Sequence, residues 1–160
     1  MPTAEVSLLL ILAAMRSAGP SYELLRRGSW NGLWAHEPKG AELNRKTLVI
    51  VGMGSIGTEV AKRALPFGMT VVYHNRNRLP PEREFGAHYI DSLAKLLSTS
   101  DVISLHCPLT EQTRAMINTE TLAQLRSGAV LINTARGELL VEPAVITALE
   151  ADRLAAVGLD

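Results

Sequence analysis

Thr47-Leu48-Val49-Ile50-Val51-Gly52-Met53-Gly54-Ser55-Ile56-Gly57 is the stretch on which the fold turns. Its first five residues form a short apolar, β-branched run, the composition of a strand buried on both faces. Glycines follow at once, and from Ser55 to about Leu65 the pattern is helical, ending before Pro66 and Gly68. Strand, glycine turn and helix in that order give the three glycines of GxGxxG separate duties. Gly52 makes the tight turn, Gly54 lets a pyrophosphate approach the backbone, and Gly57 lets the helix lie close on the strand. The first N–H groups of that helix then face an anion with the positive end of the helix dipole behind them. GxGxxG alone is a weak pattern; the strand before it and the helix after it make it a dinucleotide site.

Working outward, four further runs read as strands: Thr70 to His74, Asp101 to Cys107, Ala129 to Thr134 and Ala155 to Leu159, with another short candidate near His88. Helical segments at Ser92 to Ser98, Asn118 to Arg126 and Pro143 to Arg153 separate most of them, Pro143 suiting a first helical turn. Strand alternating with helix predicts an α/β fold, a Rossmann-type doubly wound parallel sheet. Before it lie a helix from Thr3 to Arg16, a second from Ser21 to Arg27 ending at Gly28, and a connecting loop from Ser29 to Gly40. The expected organisation is therefore one NAD(P)-binding domain over 1–160. Residues 1–45 form its helical arm and connecting loop, and 46–160 its sheet and helices.

Composition narrows the partners. The 160 residues suit one domain, and 47% hydrophobic with 20% charged residues is ordinary globular composition. Sixteen Lys and Arg cancel sixteen Asp and Glu, so no global cationic field exists to collect nucleic acid or an anionic membrane. The one cysteine, Cys107, cannot form an internal disulfide, which fits a reducing, cytoplasmic compartment. The apolar run Leu8 to Ala14 has Glu5 before it and Arg16 behind, the wrong polarity for a signal peptide, and it is too short to span a bilayer. It reads instead as a helix apolar around most of its circumference, which must be covered. A homodimer through the Val6 to Met15 helix and the loop bearing Trp30 and Trp34 is the expected cover.

The end of the second strand carries a departure. An NAD site usually places Asp or Glu there to accept from the ribose hydroxyls. Here the chain reads Val71-Val72-Tyr73-His74-Asn75-Arg76-Asn77-Arg78, with Asn75 in place of the acid and two guanidinium groups after it. Guanidinium forks suit a phosphate, so Arg76 and Arg78 are candidates for the 2′-phosphate of NADP. The alternative is a solvated loop. A short-chain dehydrogenase would need Tyr-x-x-x-Lys, and none of Tyr22, Tyr73 and Tyr89 has Lys four residues on. A nucleotide-binding methyltransferase would want the missing acid.

Two more strand ends complete the pattern: Leu105-His106-Cys107-Pro108-Leu109-Thr110 and Leu131-Ile132-Asn133-Thr134-Ala135-Arg136-Gly137. With GxGxxG these segments resemble the D-isomer-specific 2-hydroxyacid dehydrogenase family, over essentially the whole chain. The Asn75 to Arg78 loop is similar to that of its NADPH-preferring glyoxylate and hydroxypyruvate reductase members. The resemblance implies NADP(H) in preference to NAD(H), and a small 2-keto or 2-hydroxy acid as substrate. It implies that Ser55 and Ile56 contact the pyrophosphate, that Cys107, Pro108 and Thr113 lie along the cofactor, and that Thr134 and Ala135 flank the nicotinamide. It makes Arg136 the arginine for the substrate carboxylate and carbonyl oxygen. A guanidinium holding a planar 2-keto acid while polarising its carbonyl suits that role; a structural ion pair is the alternative. Asp160 resembles the aspartate that bonds the nicotinamide amide. Ser55 stands where many members have Arg, removing one cation from the pyrophosphate.

The resemblance also places the family's acid/base histidine, its orienting glutamate and the substrate domain outside this segment. His36, His74, His88 and His106 are not expected to replace that histidine. A chain that binds cofactor without full catalysis is the expectation, with a non-catalytic NADP-binding or dimerisation module as the alternative.

Overall fold

The computed structural model describes residues 1–29 and 40–160. Helices α1 (Pro2–Met15) and α2 (Ala18–Arg26) precede the sheet region, in which β1 (Thr47–Val51), α3 (Ser55–Ala64), β2 (Thr70–His74) and β3 (His88–Tyr89) follow one another. The second half runs α4 (Leu93–Ser98), β4 (Val102–Leu105), α5 (Thr119–Ala123), β5 (Ala129–Asn133), α6 (Glu142–Glu150) and β6 (Leu154–Leu159). All strand pairs are parallel, in the order β3-β2-β1-β4-β5-β6. The order reverses between β1 and β4, and at such a reversal the chain leaves neighbouring strands in opposite directions and opens a crevice at their carboxyl ends.

Period-two alternation assigns each strand residue to a face. Leu48, Ile50, Val71, Tyr73, Val102, Val130 and Ile132 pack with α1 and α3 on one side. Val49, Val51, Val72, Ile103, Leu105 and Leu131 pack with α4, α5 and α6 on the other. Both faces being covered explains why the strands read as unbroken apolar runs.

Several boundaries differ from the sequence reading, each for a local reason. Helix α2 starts at Ala18, not Ser21, because Ser17 takes a left-handed backbone as its N-cap and Pro20 falls in the first turn, where no N–H is needed. Helix α5 ends at Ala123, not Arg126. Gln124 and Leu125 donate to Thr121 and Leu122, and these three-residue-spaced bonds close the helix. Helix α6 stops at Glu150, before Asp152, whose φ is 53°. Strand β4 ends at Leu105, though His106 N still donates to Val51 O at 2.8 Å. Strand β6 begins one residue early, at Leu154.

Helix α1 is covered largely by its own chain. Ala4, Ser7, Leu8, Ile11 and Met15 are buried, and the helix packs on α3, β5 and β6. Gly158 permits the last contact, since a Cβ there would lie 2.9 Å from Leu10 Cβ. The partner-facing loop expected at Trp30 and Trp34, with His36, lies outside the described residues. No single helix among the described residues is long and apolar enough to cross a membrane.

Candidate functional site

The crevice is built first by backbone. Gly52 has φ +95°, and a Cβ on it would fall 2.5 Å from Cys107 N, so only glycine fits where the β1 turn passes the end of β4. A Cβ on Gly57 would meet Gly52 O at 2.5 Å and Ile50 Cγ2 at 3.0 Å, so α3 lies too close to β1 for any side chain. Gly54, the N-cap of α3, has open space where its Cβ would be. The amides of Ser55, Ile56 and Gly57 have no acceptor among the described residues. Close packing behind, open space ahead and free N–H groups at a helix start fit a pyrophosphate. Ser55 is exposed, whereas the Ile56 side chain packs on the core, so Ile56 offers its amide.

The loop after β2 divides its polar groups. Asn75 Oδ1 accepts from Met53 N at 2.6 Å, so this side chain clasps the glycine turn from the neighbouring strand. Arg76 is exposed and has no ion-pair or hydrogen-bonding partner among the described residues. Arg78 is engaged: its Nε and Nη2 donate to Glu84 Oε1 and Oε2 at 2.8 and 3.2 Å. Glu84 also accepts from the Tyr73 hydroxyl at 2.8 Å. Arg78 and the Tyr73 hydroxyl hold its carboxyl below the usual carboxylate range.

On the far side of β1 the remaining candidates follow β4, β5 and β6. Cys107 is buried, its thiol 3.7 Å from Met116 Sδ, and burial pushes its pKa up, which keeps it a neutral thiol. Pro108 is exposed; its carbonyl accepts from the Thr113 hydroxyl at 2.7 Å, and Thr113 Oγ1 accepts from Thr110 N at 2.8 Å. These bonds shape the loop that leaves β4. Thr134 is buried with Oγ1 2.8 Å from Ser7 Oγ on α1. Ser7 donates its one hydroxyl proton to Thr3 O, so Thr134 is the donor of that pair.

Arg136 projects from the loop after β5, exposed, with Nη1 2.7 Å from Ala135 O and no carboxylate partner among the described residues. Buried Asn133 fixes this loop: its Oδ1 accepts from Ala135 N at 3.0 Å and its Nδ2 donates to Arg136 O at 2.8 Å. Asp160 is exposed, and its N–H donates to Asn133 O at 3.2 Å, extending the pairing of β6. All the candidates thus line one sheet edge. Arg76 follows β2 and Arg136 follows β5, strands that stand three inter-strand spacings or about 14 Å apart.

Residues 8–160 match the model of the D-isomer specific 2-hydroxyacid dehydrogenase, NAD binding domain. The chain belongs to that family. It is 42% identical over 160 residues to the 4-methyl-2-oxopentanoate reductase A of Aspergillus oryzae, covering 99% of this chain and 47% of that protein. It is 43% identical to the glycerate dehydrogenase of Hyphomicrobium methylovorum, covering 99% and 50% respectively. The crystal structure of a glyoxylate reductase from Paecilomyes thermophila superposes with a TM-score of 0.91 at 47% identity, over 99% of this chain and 47% of that one. The chain spans about half the length of the curated relatives it matches.

This NAD-binding domain of the dehydrogenase family contains positioning residues that the sequence reading passed over. Asn133 stood inside the quoted Asn-Thr-Ala-Arg-Gly run, where a polar residue ending a buried strand was the available signal. Ser7 offered a similar one, a hydroxyl within an apolar helix. Glu84 gave no local signal, because its partners Tyr73 and Arg78 reach it only through the fold.

Proposed function

We propose that this chain is the cofactor-binding part of an oxidoreductase that prefers NADP(H) to NAD(H) and acts on small 2-keto acids of the glyoxylate and hydroxypyruvate kind. The observation that carries the reading is the open amino end of α3 at the strand-order reversal, with exposed Arg76 after β2 on one side of it and exposed Arg136 after β5 on the other. The relatives named for glyoxylate and hydroxypyruvate reduction support the substrate class. A bound nicotinamide supplies the hydride. Gly52, Gly54, Ser55, Ile56 and Gly57 take the pyrophosphate; Asn75 backs the turn while Arg76 and Arg78 face the adenosine end. Cys107, Pro108, Thr113, Thr134, Ala135 and Asp160 border the nicotinamide half. Arg136 holds the carboxylate and draws electron density from the carbonyl oxygen.

The reading also divides the chain into an arm and connecting loop, 1–45, and a sheet region, 46–160. It places the protein in the cytoplasm, where one buried, reduced Cys107 is at ease. It makes the chain a homodimer through the outward face of α1.

Nicotinamide fluorescence during side-by-side titration with NADPH and NADH tests the cofactor reading. NADPH binds more tightly to the wild-type chain, and Arg76→Ala brings the two affinities together. Glyoxylate then perturbs the fluorescence of the loaded wild-type chain and not of Arg136→Ala, whose NADPH affinity is unchanged. Equal affinities indifferent to Arg76→Ala would remove the NADP assignment. A glyoxylate response that survives Arg136→Ala would remove Arg136 from the substrate site.

A further inference from the structure

A buried carboxylate lies under the loop assigned to the 2′-phosphate. Glu84 is only 9% exposed, and three donors converge on it: the Tyr73 hydroxyl, Arg78 Nε and Arg78 Nη2. Tyr73 is fully buried, and its hydroxyl oxygen accepts from Leu79 N at 3.0 Å. The segment after β2 therefore closes on itself, from the Leu79 amide through Tyr73 and Glu84 to Arg78. Its charge is less than Asn-Arg-Asn-Arg suggests, because the three arginines and two glutamates of residues 75–84 leave one net cation. Arg78 already has, on its Nε and Nη2 edge, the bidentate anion that a guanidinium seeks. Arg76, exposed and unpaired among the described residues, does not.

We infer that Glu84 sets the cofactor preference of this site: its carboxylate stands in for a phosphate on Arg78, leaving Arg76 as the arginine that reads the 2′-phosphate. The inference rests on the NADP(H) reading above and deepens it. An incoming phosphate finds the Nε and Nη2 donors of Arg78 already held by Glu84 and its charge neutralised there, a loss that the neutral ribose hydroxyl of NAD(H) does not feel. Discrimination is thereby held below what two free arginines would give, and Glu84 acts as a specificity-determining residue that touches no cofactor itself.

The test is the ratio of NADPH to NADH affinity, measured by nicotinamide fluorescence on the full chain for wild type, R76A, R78A, E84Q and E84Q/R78A. Glutamine keeps the shape of the buried side chain and removes its charge. E84Q raises the ratio roughly three- to tenfold by strengthening NADPH binding, the scale of one partly screened charge facing a phosphate. E84Q/R78A, which removes the neutralised pair as a unit, stays within about threefold of wild type, so the E84Q gain vanishes without Arg78, whereas R78A alone strands the Glu84 carboxylate and lowers the ratio. An E84Q ratio unchanged or lowered, or a gain that persists without Arg78, overturns the inference. Should E84Q not fold, E84A/R78A takes its place: a loss as large as that of R76A overturns the inference, and a small one upholds it. R76A separates the two levels. A wild-type chain without NADPH preference and indifferent to R76A refutes the NADP reading itself, while an R76A collapse with an inert E84Q refutes only the role of Glu84.

Discussion

His106 lies one residue beyond β4, with Nε2 2.8 Å from Ser104 Oγ and Nδ1 buried without a partner among the described residues. Burial penalises its charged form and lowers its pKa from 6.5 to about 4, so it folds as neutral imidazole. The unfolded chain therefore binds a proton that the native chain refuses, and stability present in full above pH 6.5 is lost as the pH falls toward 4. The loss is on the order of 3 kcal/mol across that window. Glu84, and Glu59 at about 2, titrate below their ordinary 4.5, so their contributions fade only in more acid solution. Urea midpoints should fall between pH 7 and pH 5 in the wild-type chain, with a flatter slope in His106→Gln; equal slopes would remove His106 as the cause. At this scale the sequence told less than the structure. Arg76 and Arg78 look equivalent in Asn-Arg-Asn-Arg, and only the return of Glu84 beneath the loop distinguishes them.

Helix α3 on β1 shows how much of an element is legible in local pattern. The apolar run, the glycine spacing and the helical period are all short-range, and they place Gly52, Gly54 and Gly57 before any contact is known. They also lead to opposite outcomes for two similar substitutions. Gly57→Ala drives a methyl into Gly52 O and Ile50, an overpacking worth about 1–3 kcal/mol, and lowers the thermal midpoint. Gly54→Ala meets open space at φ −84°, so the midpoint stays within about 1–2 °C while the pyrophosphate loses its approach and nucleotide affinity falls at least about tenfold. Calorimetry with nucleotide titration checks both, and a Gly54→Ala chain that binds normally would move the pyrophosphate elsewhere. The boundaries of α2, α5 and α6 were less legible. They depend on the left-handed residue Ser17, on tightened terminal bonds and on Asp152, features that propensity and period do not carry.

For the whole molecule, the same alternation of strand and helix that made the sheet legible left the role of α1 open, since an apolar helix does not say what covers it. Five of its residues turn to α3, β5 and β6, and the Ser7–Thr134 bond ties it to the candidate site across 127 residues of chain. Its outward side keeps Leu9 at 64% exposure, and α2 adds Tyr22 and Leu25. The two sides of the helix therefore separate folding from association. Ile11→Glu places a charge where the side chain is fully buried, and the chain should fail to fold. Leu9→Glu places it in solvent and should leave secondary structure and nucleotide affinity intact. If the outward face joins two copies, wild type sediments as a dimer with a concentration-dependent thermal midpoint, while Leu9→Glu sediments as a folded monomer whose midpoint does not vary. A wild-type monomer at micromolar concentration would sink the dimer. A dimer indifferent to Leu9→Glu would move its interface off α1, because a buried carboxylate facing its own copy across a two-fold axis is a cost that no symmetric contact avoids.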